Sequence, residues 1–459
     1  MTGLAVCADV GSTYTKVAVV DLGGGRLVAT AARPTTADPM TGLAAAVRAT
    51  AVPVEAASIP WYVSSSAGGG LRLAVVGYER LVTAEAGHRV GLSAGARVVH
   101  VAAGPLDAAG VRELRAARPD VVLLVGGTDG GDADVLLHNA RRLGGARWPV
   151  PVVVAGNADA RDEVAAVLGG ATIVDNVLPR IGVLRPGPAR AAIREVFLRH
   201  VIGGKFGPRF AALVRAATPD AVLAAVELLA VRTGRGLLVV DVGGATTDVY
   251  SALPPGADGG AEAAGSLARA RTVEGDLGVR WNAPGVVAAA AVEKLPHDDA
   301  LAEAARLRAE NPSLPSDATL TDDSALTDDS ALTEGSALTE GSAAADGLGG
   351  GSADLRLATL AAVVAARRHA RGDAGGFGRR DLREVSLVVG SGGVLRFSPR
   401  RDSQRVLDAV LSDHGGGWPL PRAATTVVDR EYVLAAGGLL AADHPAAAFA
   451  LLRDHLGVG

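Results

Sequence analysis

Asp9–Lys16 reads D-V-G-S-T-Y-T-K and Asp241–Ser251 reads D-V-G-G-A-T-T-D-V-Y-S, an acidic residue followed by glycine and hydroxyl residues in both. Each follows an apolar run, Leu4–Val6 or Leu237–Val240, and leads into a β-rich stretch, Val17–Asp21 or Val249–Leu253. The pattern predicts a strand that delivers an Asp to its end, then a tight hairpin that glycine makes accessible. Backbone N–H groups of such a turn cradle phosphate oxygens. A single copy is weak evidence, because Asp, Gly, Ser and Thr also favour turns for conformational reasons alone. Two matching copies point to phosphate chemistry, and to a nucleotide held between two related half-domains. Neither copy carries the Walker spacing or G-x-G-x-x-G, which disfavours a P-loop or Rossmann site.

A third segment, Leu387–Val394 (L-V-V-G-S-G-G-V), predicts a strand ending in a Gly-rich turn, and Glu431–Leu440 (E-Y-V-L-A-A-G-G-L-L) predicts a helix with an Ala/Gly face. Small residues on such a face let two helices approach closely. In this order the segments resemble the two phosphate motifs, the adenosine motif and the closing helix of the superfamily of actin, sugar kinases and heat-shock chaperone ATPases. The resemblance implies an α/β, actin-like ATPase fold of duplicated ribonuclease-H-like half-domains with an inserted α/β subdomain. It also implies ATP and Mg²⁺ as cofactors. Carried over residue by residue, Gly11, Ser12, Thr13 and Lys16 match the first phosphate motif, and Gly243, Gly244, Thr246 and Thr247 the second. Gly390, Ser391, Gly392 and Gly393 match the adenosine motif, while Asp9 and Asp241 fall near the metal.

Finer wording narrows the family. Asp9–Lys16, Val121–Asp132 (V-V-L-L-V-G-G-T-D-G-G-D), Val152–Asp159 (V-V-V-A-G-N-A-D), Asp241–Ser251 and Thr272–Gly278 (T-V-E-G-D-L-G) together resemble the GlmL/MutL family. That family accompanies adenosylcobalamin-dependent glutamate mutase and is unrelated to the DNA mismatch-repair protein called MutL. The resemblance implies an ATP-dependent reactivating protein whose partners are mutase subunits. Alternatives within the superfamily are a small-molecule, sugar-type kinase and a nucleotide-sensing binding protein without turnover. A kinase needs a general-base Asp beside an acceptor pocket in the first half-domain, and no clear candidate stands out.

Hydrolysis needs little covalent chemistry beyond a group that orients water in line with the γ-phosphate. The catalytic assignments are Asp9, Asp241 and Glu274, with Asp241 or Glu274 orienting the water and Asp248 ranked behind them. Asp248 and Glu274 also read as a strand-end charge and a helix cap. Lys16 neutralises phosphate charge or presents a solvated amine. Mg²⁺ dehydrates reluctantly and takes few carboxylates, which suits Asp9 and Asp241 acting mostly through waters.

Composition excludes other classes. The 459 residues exceed one ordinary core, and the 49% hydrophobic content with only 3% aromatics calls for cores of small aliphatics. A net charge of −4 leaves no basic excess for nucleic acid. Cys7 is the single cysteine, so no intrachain disulfide forms and too few thiolates exist for an iron–sulfur site. The histidines, among them His297, His369, His414, His444 and His455, are scattered without zinc spacing. There is no G-x-S-x-G elbow, and the D-x-H-x-x-G pattern of cobalamin-binding domains is missing too, so any link to cobalamin runs through a partner. Without a leader pattern or a run of about 18 apolar residues, the expected location is cytoplasmic, with no membrane association.

The elements that must position these residues alternate between strand and helix. Residues 1–31 predict a hairpin, Met40–Ala51 a helix and Trp61–Ser64 a strand, running into the Gly-rich Ser65–Gly70. From Arg97 to Ile181, strands at Val98–Val101, Val121–Val125 and Val150–Ala155 alternate with helices at Ala108–Ala117, Ala133–Leu143 and Ala160–Leu168. That rhythm predicts a parallel βαβ unit. Thr128, Asp129, Asn157 and Asp159 leave its strand ends, where they cap the next helices or face a ligand. The expected organisation is 1–95 as the first half-domain, 96–185 as the inserted subdomain and 186–459 as the rest of the core. Residues 313–352 carry four tandem hexapeptides at Thr319–Ser342 and a Gly-rich tail, which predict an acidic disordered insert dispensable for ATP binding.

Overall fold

The computed structural model describes residues 3–11, 14–53, 59–66, 71–78, 87, 90, 96–148, 150–181, 183, 185–253, 269–312, 314, 352–372 and 379–458. The acidic repeats, Ser12 and Thr13 lie outside the described residues. The chain divides into two compact units: Met1–Arg235 with Tyr250–Thr272 and Glu431–Gly459, and Gly236–Val249 with Val273–Arg430. Among the described residues the architecture is mixed α/β with three five-stranded sheets.

In the first unit, β1 (Leu4–Val10), β2 (Tyr14–Asp21) and β3 (Arg26–Pro34) form an antiparallel meander. β4 (Trp61–Ser65) runs parallel to β1, and β10 (Val214–Ala217) parallel to β4, giving the order β10-β4-β1-β2-β3. The expected two-stranded hairpin thus continues into a third strand.

A further sheet in the same unit is wholly parallel, in the order β6-β5-β7-β8-β9. Its strands are β5 (Arg72–Gly77), β6 (Arg97–Ala103), β7 (Val121–Leu124), β8 (Val152–Val154) and β9 (Thr172–Ile173). Strand alternation sorts its side chains by face. Ala74, Val76, Val122, Leu124 and Val154 pack on one side with Leu114, Leu136 and Leu143 from the flanking helices. Leu73, Val75, Val121, Leu123 and Val153 join Val6, Val63, Ile193 and Phe197 in the other core. Because β5 lies next to β7 in this sheet, the sheet begins upstream of residue 96, where sequence periodicity placed the start of the subdomain.

Helix Val433–Leu440 carries the small-residue face expected of Glu431–Leu440. At Gly438 a Cβ would overlap the carbonyl of Ala221 in helix Thr218–Thr233, so close approach there requires glycine.

The remaining sheet has the order β13-β12-β11-β14-β15. It comprises β11 (Gly236–Val242), β12 (Thr247–Ala252), β13 (Arg269–Glu274), β14 (Val385–Ser391) and β15 (Thr425–Val428). It belongs to the second unit apart from Tyr250–Ala252 and Arg269–Thr272. β14 is parallel to both β11 and β15. Numbered from its own first strand, this sheet repeats the third-second-first-fourth-fifth order of the β1 sheet. Among the described residues no helix is long and apolar enough to cross a membrane.

Candidate functional site

In the first unit, the Gly11 N–H donates to the Tyr14 carbonyl at 3.0 Å and closes the turn after β1. A Cβ on Gly11 would stand 2.8 Å from that carbonyl oxygen, so the residue must be glycine. Asp9, two residues before the turn, is only 7% exposed and pairs in register with Lys16 on β2 and with Ser64 on β4. A buried carboxylate needs partners. Ser64 Oγ donates to Asp9 Oδ1 at 3.1 Å, Thr218 Oγ1 donates to the same oxygen, and Lys16 Nζ lies 3.7 Å from Oδ2. The Lys16 ammonium also sits 3.9 Å from the centroid of the Tyr432 ring, a cation–π contact. It is therefore held in place rather than merely solvated. Thr35 braces the turn from outside, its Oγ1 donating to the Gly11 carbonyl at 2.9 Å.

The second unit repeats the turn. Gly243 N–H donates to the Thr246 carbonyl at 2.9 Å, and a Cβ on Gly243 would stand 2.7 Å from that oxygen. Here the brace is a length of chain. The Gly243 carbonyl accepts from Val279 N–H at 3.1 Å, Gly244 from Arg280 and Trp281 N–H at 2.9 Å each, and Ala245 from Asn282 Nδ2 at 2.7 Å. Gly278 lies so close that a Cβ would overlap the Ala245 backbone. In a trans peptide C=O and N–H point opposite ways. With these three carbonyls turned to the 279–282 segment, the amides of Gly244, Ala245 and Thr246 are turned away from it, the orientation a backbone anion site requires.

Other predicted residues divide between those brought to this turn and those that are not. Asp241 stands opposite Ser391 in the β11–β14 pairing, and Gly392, at φ 102°, packs against the Val242 carbonyl. The second phosphate and adenosine segments are thereby adjacent. Gly390 packs against Leu395 and Leu407, and Gly393 opens the short helix Gly393–Phe397. Thr246 Oγ1 donates to Asp248 at 3.1 Å. Thr247 is fully buried and its hydroxyl donates to the Leu277 carbonyl at 2.7 Å, so that hydroxyl serves the fold. Glu274 ends β13 and accepts from Arg368 Nη1 at 2.9 Å, while the following helix is preceded by Asn282. Glu274 is thus an ion-pair partner and not a helix cap.

In the parallel sheet, Asp129 accepts from Ala158 N–H at 3.0 Å and Asn176 Nδ2 at 2.9 Å, and Asp159 accepts from Gly130 N–H at 3.0 Å. Asn157 accepts from Asp159 N–H and caps a short 3₁₀ turn. These side chains stitch loop to loop. Among the described residues no group of three or more His, Cys, Asp or Glu side chains is arranged to hold a metal.

Sequence reasoning missed Ser64 and Thr218 as partners of Asp9. The signal for Thr218 is A-A-T-P-D, where Pro219 in the first turn marks a helix start at a strand end. Two residues on, burial pushes the Asp220 carboxyl up to about 6, against the pull of Arg194, Arg271 and Arg190. In β1, burial pushes the Cys7 thiol well above its ordinary range, so it is inert.

The family model for the MutL protein matches residues 5–334 and 345–456. Protein MutL of Clostridium tetanomorphum is 32% identical over 478 residues, spanning 98% of each chain. Among solved structures, a ROK hexokinase from Thermus thermophilus is 14% identical over 98% of each chain, with a TM-score of 0.26. Xylulose kinase from Bifidobacterium adolescentis is 13% identical over 95% of this chain and 99% of its own, with a TM-score of 0.23.

Proposed function

Since the chain belongs to the MutL protein family, we propose that it is an ATP-dependent accessory protein that reactivates an adenosylcobalamin-dependent mutase, glutamate (methylaspartate) mutase in the first instance. The observation that carries the nucleotide part is the repeated turn: Asp-x-Gly closed by the glycine N–H, on two sheets of the same strand order. That duplication supports an actin-like ATPase fold. The mutase part rests on the family resemblance of the sequence.

The donor chemistry fits Mg²⁺ with ATP. Mg²⁺ keeps several waters and takes one or two carboxylates, so the small acid count at each turn is no obstacle. The candidate to hold it is the acid of each turn, Asp9 in one unit and Asp241 in the other, and when bound it would supply charge neutralisation at the phosphates. In the second unit the amides of Gly244, Ala245 and Thr246 would orient phosphate oxygens, and in the first unit Lys16 would neutralise phosphate charge. Ser64 and Thr218 fix the Asp9 carboxylate by occupying Oδ1. Asp9 is surrounded by these hydroxyls and an ammonium, which gives no support to an acceptor-deprotonating carboxylate of the kinase type. Glu274 accepts from Arg368, which it shares with Asp276, and Asp241 is the first candidate to orient water.

The test is Mg²⁺-dependent ATP hydrolysis with and without glutamate mutase inactivated by damaged cobalamin, scoring recovered mutase activity, with Asp241→Ala as control. Recovery that needs both ATP and Asp241 is the expected result. Hydrolysis without recovery would overturn the glutamate mutase assignment, and absence of ATP binding would overturn the nucleotide reading.

A further inference from the structure

The segment that braces the second turn is itself anchored at a buried ionic centre. Asp354 is fully buried in the first turn of helix Ala353–Arg371, which Ser352 Oγ caps. Its Oδ2 accepts from Arg280 Nη2 at 3.2 Å, and its Oδ1 accepts from Arg308 Nε at 2.7 Å. Arg308 lies near the end of helix Asp299–Glu310, so the carboxylate joins the two helices that flank the acidic insert. Arg280 also donates its backbone N–H to the Gly244 carbonyl, and a Cβ on Gly244 would stand 3.4 Å from the Arg280 Cγ. One residue thus touches the turn with its backbone and stem, and holds Asp354 with its guanidinium.

Building on the nucleotide reading above, we propose that Asp354 is a positioning residue for the second phosphate turn, acting through Arg280 to set the direction of the Gly244–Thr246 amides. The Arg308 arm of the same centre ties helix to helix. The two arms therefore separate a role in ATP binding from a role in stability.

The experiment measures MgATP affinity by calorimetry and thermal unfolding for the full chain and for Arg280→Met, Arg280→Lys and Arg308→Met. Arg280→Met is expected to weaken ATP about tenfold, the scale of a lost charge-assisted hydrogen bond. Arg280→Lys, which can still reach the carboxylate, is expected to recover most of that loss. Arg308→Met should bind ATP within about twofold of the parent while melting at a lower temperature, as Arg280→Met also should. Asp354→Asn combines both losses and, if it folds, should match Arg280→Met in affinity. Equal ATP affinities for the two Met variants would overturn the proposal while leaving the nucleotide reading intact. A parent chain that binds no ATP would remove both.

Discussion

The first turn sets Lys16 across from Asp9, whereas the second has Asp241 and Asp248 at the corresponding places, two residues outside Gly243 and Thr246 as Asp9 and Lys16 are outside Gly11 and Tyr14. The backbone closure is the same, but the charge is not. One turn offers an acid already paired with an amine. The other offers two acids beside its backbone amides. The braces differ as well: Thr35 supports the Gly11 carbonyl through one hydroxyl, while residues 279–282 take three successive carbonyls of the second turn. A duplicated scaffold thus carries an acid–amine pair at one turn and two acids at the other.

The sharpest break in this comparison comes from removing each acid in turn. Asp241→Asn is expected to cost at least about 100-fold in ATP-dependent activity, and Asp9→Asn a comparable factor. Only Asp241→Asn should be partly relieved by raised Mg²⁺, because Asp9→Asn also releases Lys16 from its partner. Equal relief in both variants would erase the contrast.

The next effect belongs to the first unit alone. With Asp220 at about 6 in the folded chain and an ordinary value of 3.8 in the unfolded chain, the folded state binds the extra proton between those values. Its contribution to stability is therefore full below about 3.8 and lost as pH rises through about 6. The stability difference between the parent chain and Asp220→Asn should shrink by at most about 3 kcal/mol from pH 4 to pH 7 in urea titrations. A difference that grew with pH would mean that the arginines dominate over burial.

Lys16→Met is expected to weaken ATP about tenfold at saturating Mg²⁺. Asp248→Asn should instead raise the Mg²⁺ needed for half-maximal ATP binding about threefold, a smaller change because hydrated Mg²⁺ leans on few carboxylates. Calorimetry at two Mg²⁺ concentrations separates the two, and variants that moved the same quantity would contradict the contrast in charge between the turns. Smallest is Thr35→Val, which deletes the hydrogen bond to Gly11 and should lower unfolding stability by about 1 kcal/mol. A much larger loss would show that the first turn depends on its brace as heavily as the second.

Both turns were legible because their information is local: an apolar run, Asp-x-Gly and four residues to close the hairpin. The Ala/Gly face of Val433–Leu440 was legible for the same reason, since helical spacing shows which residues share a face. The middle of the parallel sheet was not. β5 is a short strand whose neighbours β6 and β7 arrive some twenty-five and fifty residues later. Glu274 looked available because Arg368 is 94 residues away, and Thr247 looked like a ligand group because its inward turn depends on the carbonyl of Leu277.

What the sequence determined by itself is the pair of Gly-closed turns, the strand–helix rhythm and the family, all of which depend on residues close together in the chain. Tertiary structure decided which side chains complete them. Ser64 and Thr218 meet Asp9 across 55 and 209 residues, and Asp354 meets Arg280 across 74. A buried charge takes its partners from whichever strands and helices the packing brings beside it, and no local pattern encodes that choice.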